Sequence, residues 1–529
     1  MSSQFYYNGY ILTMEKPLYA EALFVRDGKI VKAGPEPLLR PLCTADTEKV
    51  DLQGHALLPS FIDPHSHLAG AASSLLQVSL DGAATFDELE ERIKRFLSSN
   101  QIAPGEWVQA KGYDHNALRE KKHPPRILLD HIAPENPLVL HHQSGHAGVL
   151  NSLALERLGI DETTIPPSGG TIGKENGRLT GYLEENAFIG PIQRIPMPSI
   201  ETLLSAVKSA QQEYARYGIT TVQEGMLTES LVGLYQAFLQ KEAFFLDVVG
   251  YVDGAASESL LKKLSGTAEH SQKHFKIGGC KVFLDGSPQA RTAWMETPYV
   301  GAEDGYCGYP ALSDEVLQER IRFAFQNRLQ LLAHCNGDAA AAQFLSAYRK
   351  IYTETSNPPD LRPVMIHAQL LRPDQMTALR ELRIIPSFFI AHIFHWGDIH
   401  IQNFGPARAA KISPASSALQ AGLPFTFHQD TPVIPPNMLE TVWCAVNRLT
   451  KSGILLGEEE RIPVLEALKA VTVHAAYQYF EEDRKGSLRE GKLADLVILD
   501  QDPLRAESNA LREIRVLETI KNGRTIYRR

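Results

Sequence analysis

The apolar positions of this chain change rhythm twice. Near the N-terminus they form short strand-length runs at 9–14, 22–25, 29–33 and 56–58, with Asp27-Gly28 marking a hairpin turn. The C-terminal end returns to the same rhythm at 495–500, 517–520 and 524–527, with Asn522-Gly523 between the last two. Neither end carries enough strand to make a stable sheet alone. The pattern therefore predicts one composite β-sandwich, residues 1–56 with 485–529, into which everything else is inserted.

Between the ends, strand-length apolar runs alternate with helical segments. The runs fall at 61–62, 219–222, 245–252, 279–284, 329–333, 363–366, 383–388 and 423–427. Nearly continuous apolar strands separated by helices indicate a parallel sheet covered on both faces. Eight such repeats predict an α/β fold, a (β/α)8 TIM-type barrel over residues 57–484. A doubly wound sheet is the alternative, but the count of eight and the polar strand ends favour the barrel. The stretch 70–205, after the first run, is too long for a loop and is predicted to be an inserted subdomain. It holds a helical segment at 85–98, where Thr85 and Glu88 stand in capping-box spacing. A second helical segment at 199–217 follows a middle rich in Pro, Gly and polar residues.

Composition narrows the setting. The chain has 529 residues, 43% hydrophobic and 22% charged, which is ordinary for a protein with a large core. A formal net charge of −9 argues against nucleic-acid or anionic-membrane partners, which want a basic face. The start, Met1-Ser2-Ser3-Gln4-Phe5-Tyr6, has no basic segment leading into an apolar one, so no signal peptide is expected. No apolar run reaches the roughly 18 residues needed to span a bilayer. Cys43, Cys280, Cys307, Cys335 and Cys444 are scattered and odd in number, which reads as reduced thiols and a cytoplasmic setting.

The chemistry collects where a barrel keeps it, at the C-terminal ends of the strands. The first run leads into Asp63-Pro64-His65-Ser66-His67, and residues at i and i+2 of a strand share a face. The fourth carries Lys281 among apolar neighbours. The fifth ends in His334, the sixth in His367 and the eighth in Asp430. Each has an ordinary explanation by itself: a rim histidine, a snorkelling lysine, a helix-capping aspartate. Jointly they put four imidazoles, a carboxylate and an amine at five strand ends of one barrel. That donor set suits Zn²⁺ first, with Mn²⁺, Fe²⁺ or Co²⁺ as substitutes. A lysine ammonium cannot ligate, but Lys281 converted by CO₂ to a carbamate would offer two oxygens able to bridge two metals. His65 and His67 would then hold one and His334 and His367 the other. A hydroxide shared by the metals would be the nucleophile, with Asp430 both ligand and proton carrier.

The same residues stand in motifs that resemble the metal-dependent amidohydrolases, specifically the amidohydrolase-3 branch with the N-substituted formamide deformylases and YtcJ-like proteins. The resemblance runs over nearly the whole chain. It is carried by Leu58-Pro59-Ser60-Phe61-Ile62-Asp63-Pro64-His65-Ser66-His67, Gly112-Tyr113-Asp114-His115-Asn116, Gly145-His146-Ala147 with Asn151-Ser152, and Gly181-Tyr182-Leu183-Glu184-Glu185. It continues in Lys281-Val282-Phe283-Leu284-Asp285-Gly286-Ser287, His334-Cys335-Asn336-Gly337-Asp338, His367-Ala368-Gln369, Asp430-Thr431-Pro432-Val433 and 486–495. It implies a barrel with a composite β-sandwich, and hydrolysis of a non-peptide carbon–nitrogen bond. Ile366 stands where the family often has Glu, and Gln429 where it often has Ser; neither replaces a ligand.

For the substrate side, Asp114, His146 and Glu185 match family motifs. The segment His392-Ile393-Phe394-His395-Trp396-Gly397-Asp398, read as a loop after the seventh run, offers His392, His395 and Trp396 as a substrate wall. Arg291 is a candidate partner for a substrate carboxylate, while His141 and His142 read as structural. Two other functions compete. A mononuclear deaminase of a nitrogen heterocycle would use the histidines and the aspartate without Lys281. A non-catalytic barrel serving as an interaction module would have lost ligands. The expected partner is a small-molecule substrate; nothing in the sequence separates formamide, N-acyl amino acid, dipeptide or cyclic amide, and a homodimer is one open arrangement.

Overall fold

The computed structural model describes residues 3–144, 146–196, 198–268 and 274–529; Gly145, in one of the motifs above, lies outside them. The chain divides into two compact units. One comprises Met1–Ala71 and Val207–Arg529, the other Ala72–Ala206.

The larger unit is built on a curled parallel sheet of eight strands in sequence order: β1 (Phe61–Ile62), β2 (Ile219–Leu227), β3 (Asp247–Asp253), β4 (Phe275–Phe283), β5 (Gln330–Cys335), β6 (Val364–His367), β7 (Ile385–Phe388) and β8 (Thr426–Phe427). Each predicted run falls on one of these strands. Every neighbouring pair is parallel. The backbone N–H of His67, past β1, donates to the carbonyl of Thr431, past β8, at 2.8 Å, so the two edges of the sheet come together. Helices follow the strands, among them Glu229–Gln240 after β2, Asp338–Glu354 after β5 and Pro373–Glu381 after β6. Ile62, Val249, Tyr251, Leu332, Val364, Ile366 and Ile385 pack in one cluster with Ala475, Ala476 and Tyr479. Burying each such aliphatic side chain contributes about 1.5–3 kcal/mol, so the sheet is held by its apolar content and frees its strand ends for polar residues.

Both chain ends enter a single eight-stranded sheet in the same unit. Ala56–Pro59 pairs antiparallel with Leu496–Leu499, which joins the N-terminal strands to the C-terminal ones. Adjacent residues alternate faces: Phe5 and Phe24 pack on one side, Tyr6, Leu23 and Val25 on the other with Leu57, Leu496 and Ile498. The strand Ala56–Pro59 runs on into β1 through Ser60. The N–H of Ser60 donates to Asp495 of the terminal sheet, and the N–H of Phe61 to Gly218 ahead of β2, both at 2.9 Å. One extended stretch thus serves two sheets and fixes where the histidines after it emerge.

The smaller unit holds a six-stranded mixed sheet in the order Gly170–Glu175, Arg178–Glu185, Ala147–Leu150, Leu138–His142, Val108–Tyr113 and Val78–Ser79. The hydrophobic rhythm does not announce these strands, because most of them interleave polar residues and glycine with few apolar positions. The helix Phe86–Ser99 starts where expected. The Thr85 side chain accepts from the Glu88 N–H at 3.2 Å, while Glu88 accepts from the N–H of Ala84. Among the described residues, no helix is long and apolar enough to cross a membrane.

Candidate metal centre

All six residues singled out at the strand ends meet at one end of the curled sheet. His65 is fully buried. Its Nε2 lies 3.0 Å from Lys281 Nζ and 3.3 Å from Asp430 Oδ1. His67 Nε2 lies 3.4 Å from the same Oδ1, and His367 Nε2 4.0 Å from Asp430 Oδ2. The His334 ring stands 4.5 Å from that of His367. The ligand atoms of His65, His67 and Asp430 lie within 4.8 Å of one another.

Local backbone makes the convergence possible. His367 and Asp430 adopt positive φ, 72° and 54°, at the points where their strands end. That conformation costs a non-glycine residue of order 1 kcal/mol or more, and the surrounding structure must impose it. Here it lets the chain leave the strand while the side chain stays over the sheet.

The orientation of the histidines comes from β2, which the sequence reading passed over. Gln223 Oε1 lies 2.6 Å from His65 Nδ1. The amide nitrogen of Gln223 donates to the carbonyl of Pro64 at 2.7 Å and to Tyr479 Oη at 3.0 Å, so the oxygen must face the imidazole. Nδ1 therefore carries the proton, and the Nε2 lone pair points toward Asp430. Glu224 Oε1 stands 3.6 Å from His67 Nδ1; its other oxygen accepts from the Ala69 N–H at 2.8 Å and the Tyr235 hydroxyl at 2.5 Å. The third residue in this row is Gly225. A Cβ there would lie 2.8 Å from His65 Cε1 and 3.0 Å from His67 Cε1, closer than packing allows. Two polar side chains at the end of an otherwise apolar strand were the signal for this row.

His428 also belongs to the cluster. It is fully buried, its ring 5.1 Å from those of His65, His367 and Phe389, and neither ring nitrogen makes a well-formed hydrogen bond among the described residues. Burial pushes its pKa down to about 3. Its spacing from Asp430, i and i+2, repeats that of His65 and His67 and could have flagged it.

The electrostatics favour a cation. Burial alone would raise the pKa of Asp430, yet the histidines around it hold the carboxyl well below the usual range. Among the described residues its Oδ1 and His334 Nδ1 are buried without a well-formed hydrogen bond, although His67 Nε2 approaches the former and Asp285 Oδ1 the latter, each to 3.4 Å. Burial pushes the His65 and His367 imidazoles well below their ordinary range, which keeps them neutral, and takes the Lys281 amine down to about 8. Neutral imidazoles at His65 and His367, an ionised carboxylate and buried polar atoms short of hydrogen bonds fit a divalent ion. At His67, against the effect of burial, the Asp430 and Glu224 carboxylates raise the imidazole above its ordinary range.

The remaining candidates stand as follows. The segment read as a loop after β7 is the helix His392–Phe404, because Ile393, Gly397, His400 and Phe404 recur at helical spacing and are buried. Within it His392 is buried with Nδ1 3.0 Å from His400 Nε2, His395 Nε2 lies 2.9 Å from Glu440 Oε1, and Trp396 packs 4.5 Å from the His392 ring. Arg291 donates from Nε to Asn403 Oδ1 at 2.8 Å. In the smaller unit, His146 Nδ1 and Glu185 Oε2 form an exposed pair at 3.1 Å, and Asp114 stands beside His142.

A model of the amidohydrolase family matches residues 48–527. The chain is 29% identical over 526 residues to an N-substituted formamide deformylase from Arthrobacter pascens, covering 96% of this chain and 95% of that protein. It is 27% identical over 552 residues to the YtcJ protein of Bacillus subtilis (strain 168), covering 99% of each. Among solved structures, an uncharacterized metal-dependent hydrolase from Pyrococcus furiosus superposes with a TM-score of 0.77 at 25% identity, over 95% of this chain and all of that one.

Proposed function

The chain belongs to the amidohydrolase family, and on that premise we propose that it hydrolyses the carbon–nitrogen bond of a small amide, with N-substituted formamides the first class to try. The observation that carries the reading is the position of Asp430. Its Oδ1 lies 3.3 and 3.4 Å from two histidine nitrogens, within the ring of His65, His67, His367 and Lys281, and makes no well-formed hydrogen bond among the described residues.

His65, His67, His334, His367 and Asp430 would hold the metal, zinc first and two per chain if Lys281 is carboxylated. A divalent cation held there supplies Lewis acidity, which polarises the scissile carbonyl and acidifies water. The chain's own residues do the rest. Gln223 and Glu224 aim His65 and His67. Asp430 accepts the proton of the attacking water on its carboxylate as the new carbon–oxygen bond forms. It then returns that proton to the leaving nitrogen as the carbon–nitrogen bond breaks, which releases an acid and an amine. Phe283, exposed beside this cluster with its ring 4.9 Å from that of His334, is placed to face the substrate.

The test has two parts. Elemental analysis of wild type and Lys281→Ala should show a loss of two metals per chain in the variant. A panel of formamides, N-acyl amino acids, dipeptides and cyclic amides should release acid and amine only with metal present. An unchanged metal count in Lys281→Ala would overturn the bridged pair and direct assays to heterocycle deamination. Absence of metal after reconstitution would overturn the mechanism.

A further inference from the structure

The smaller unit carries its own set of metal-type donors. Strands Val108–Tyr113 and Leu138–His142 are parallel neighbours, and Tyr113 is the register partner of His142. The chain therefore delivers Asp114 and His115, just past one strand, to the place where the other ends in His142. His115 Nδ1 and His142 Nε2 face each other at 3.1 Å, and Asp114 Oδ1 stands 3.8 Å from His142 Nε2. The three ligand atoms lie within 4.8 Å of one another.

We propose that Asp114, His115 and His142 form a divalent-cation site of their own, selective for zinc-like ions. A hydrogen bond between the imidazoles accounts for one contact only. The Asp114 carboxylate, whose Oδ1 already accepts the Asn116 N–H, stands 3.8 Å from His142 Nε2, beyond hydrogen-bonding distance of that ring but close enough to share an ion with it. A shared ion engages all three. Two nitrogens bound tetrahedrally at zinc's usual 2.0–2.1 Å stand about 3.3 Å apart, close to the spacing seen.

Ser144 holds the His142 ring, its N–H donating to Nδ1 at 3.2 Å and its Oγ 2.9 Å from the same atom. In the metal-free cluster the ring proton therefore sits on Nε2 facing His115 and must leave when an ion binds. Asp114 Oδ1 accepts the N–H of Asn116 at 2.9 Å. His123 stacks on His115 with ring centres 4.1 Å apart, and its Nδ1 lies 3.0 Å from the Tyr113 hydroxyl. It walls the site without being a ligand. Two imidazoles and one carboxylate leave a coordination position open, and His142 also lines a cavity of about 350 Å³ with Lys111, His141 and Gln143. His142, which the sequence reading left as structural, is on this account a ligand.

This site stands or falls separately from the barrel reading. The full-length chain, stripped of metal, is dialysed against Zn²⁺ and then Co²⁺, whose visible spectrum reports ligand geometry. His115→Ala and His142→Ala should each bind one metal fewer than wild type, and His123→Ala the same number. A double variant His65→Ala/His67→Ala should keep the Co²⁺ band that His142→Ala lacks. Equal stoichiometry in wild type, His115→Ala and His142→Ala would overturn the proposal. Asp114→Asn preserves shape and guards against misfolding. It should weaken Zn²⁺ binding at least tenfold while the circular dichroism spectrum is kept, and unchanged affinity would count against the site.

Discussion

The two histidine clusters of this molecule are built in opposite ways. In the barrel, residues up to 365 positions apart, His65 to Asp430, are brought together by a curled sheet and aimed by buried partners on β2. In the smaller unit, Asp114, His115 and His142 come from the ends of two adjacent strands and are held by a short turn and one serine. Exposure does not separate them: the His67 and Asp430 side chains are 28% and 15% exposed, those of His142 and Asp114 11% and 24%. What differs is reach: the buried contact of Gln223 with His65 makes the first cluster depend on a fixed tautomer and on matched charge across the sheet. The second depends on contacts made within its own two strand ends. The contrast predicts that damage to the barrel cluster spreads to function, and damage to the other stays local.

The largest effect is expected at Asp430. Asp430→Asn keeps the shape but removes the proton carrier, and general acid–base contributions of this kind are worth about 10³-fold in rate. Steady-state kinetics on the best amide of the panel should show that loss in kcat, with the helical signal intact. A loss under tenfold would place proton transfer elsewhere.

Next comes the orienting row. Gln223→Ala frees the His65 ring, and losing such a partner costs about 10–100-fold in metal affinity. Zinc competition titration should find that drop in the barrel sites while the Co²⁺ band assigned to His142 is unchanged. If both signals weaken together, the two clusters are coupled and the contrast fails.

Acid should act on the frame that carries the barrel cluster. Asp247 at the start of β3 and Glu481 both pair with the buried Lys485. Burial would raise both carboxyls. The Lys485 and Lys276 ammonium groups instead hold Glu481 down to about 2, and Lys485 and Lys521 hold Asp247 well below its usual range. A depressed carboxyl adds stability above its unfolded pKa and loses it as pH falls toward the folded one. The larger unit should therefore weaken between about pH 4.5 and 2, read as a falling urea midpoint. Lys485→Met, in lowering the midpoint at pH 7, should also flatten that slope; a parallel curve would remove this network as the cause.

The smallest effect is expected in the smaller unit. Thr85→Ala removes the cap of helix Phe86–Ser99 and should cost about 1 kcal/mol. Chemical denaturation should report that change with metal stoichiometry untouched. A change in stoichiometry would show that this unit is less local in its construction than its short-range contacts imply.

Much of this was legible in the residues. The barrel strands follow from apolar runs, and Lys281 stands out because a lysine inside such a run is anomalous. The i, i+2 pair His65 and His67 announces a shared face. Gln223 and Glu224 were harder to read, since a polar residue in a strand does not say what it faces across the sheet. His428 was in view, but its neighbours decide its meaning, and these come from β1, β6 and the segment after β7. The sheet of the smaller unit escaped because several of its strands are short and most interleave polar residues and glycine, which leaves little period to detect.

By itself the sequence determined the inventory and its order: which strands are apolar, and which of them end in a metal-type donor. Those are properties of local period and residue type, which the chain carries wherever it goes. Only the tertiary structure decided that five strand ends meet within a few ångströms, that Gln223 sets the tautomer of His65, and that Asp430 stays ionised among imidazoles. Each of these depends on distance and on exclusion of water, and both come into being only when the sheet curls and closes over its core.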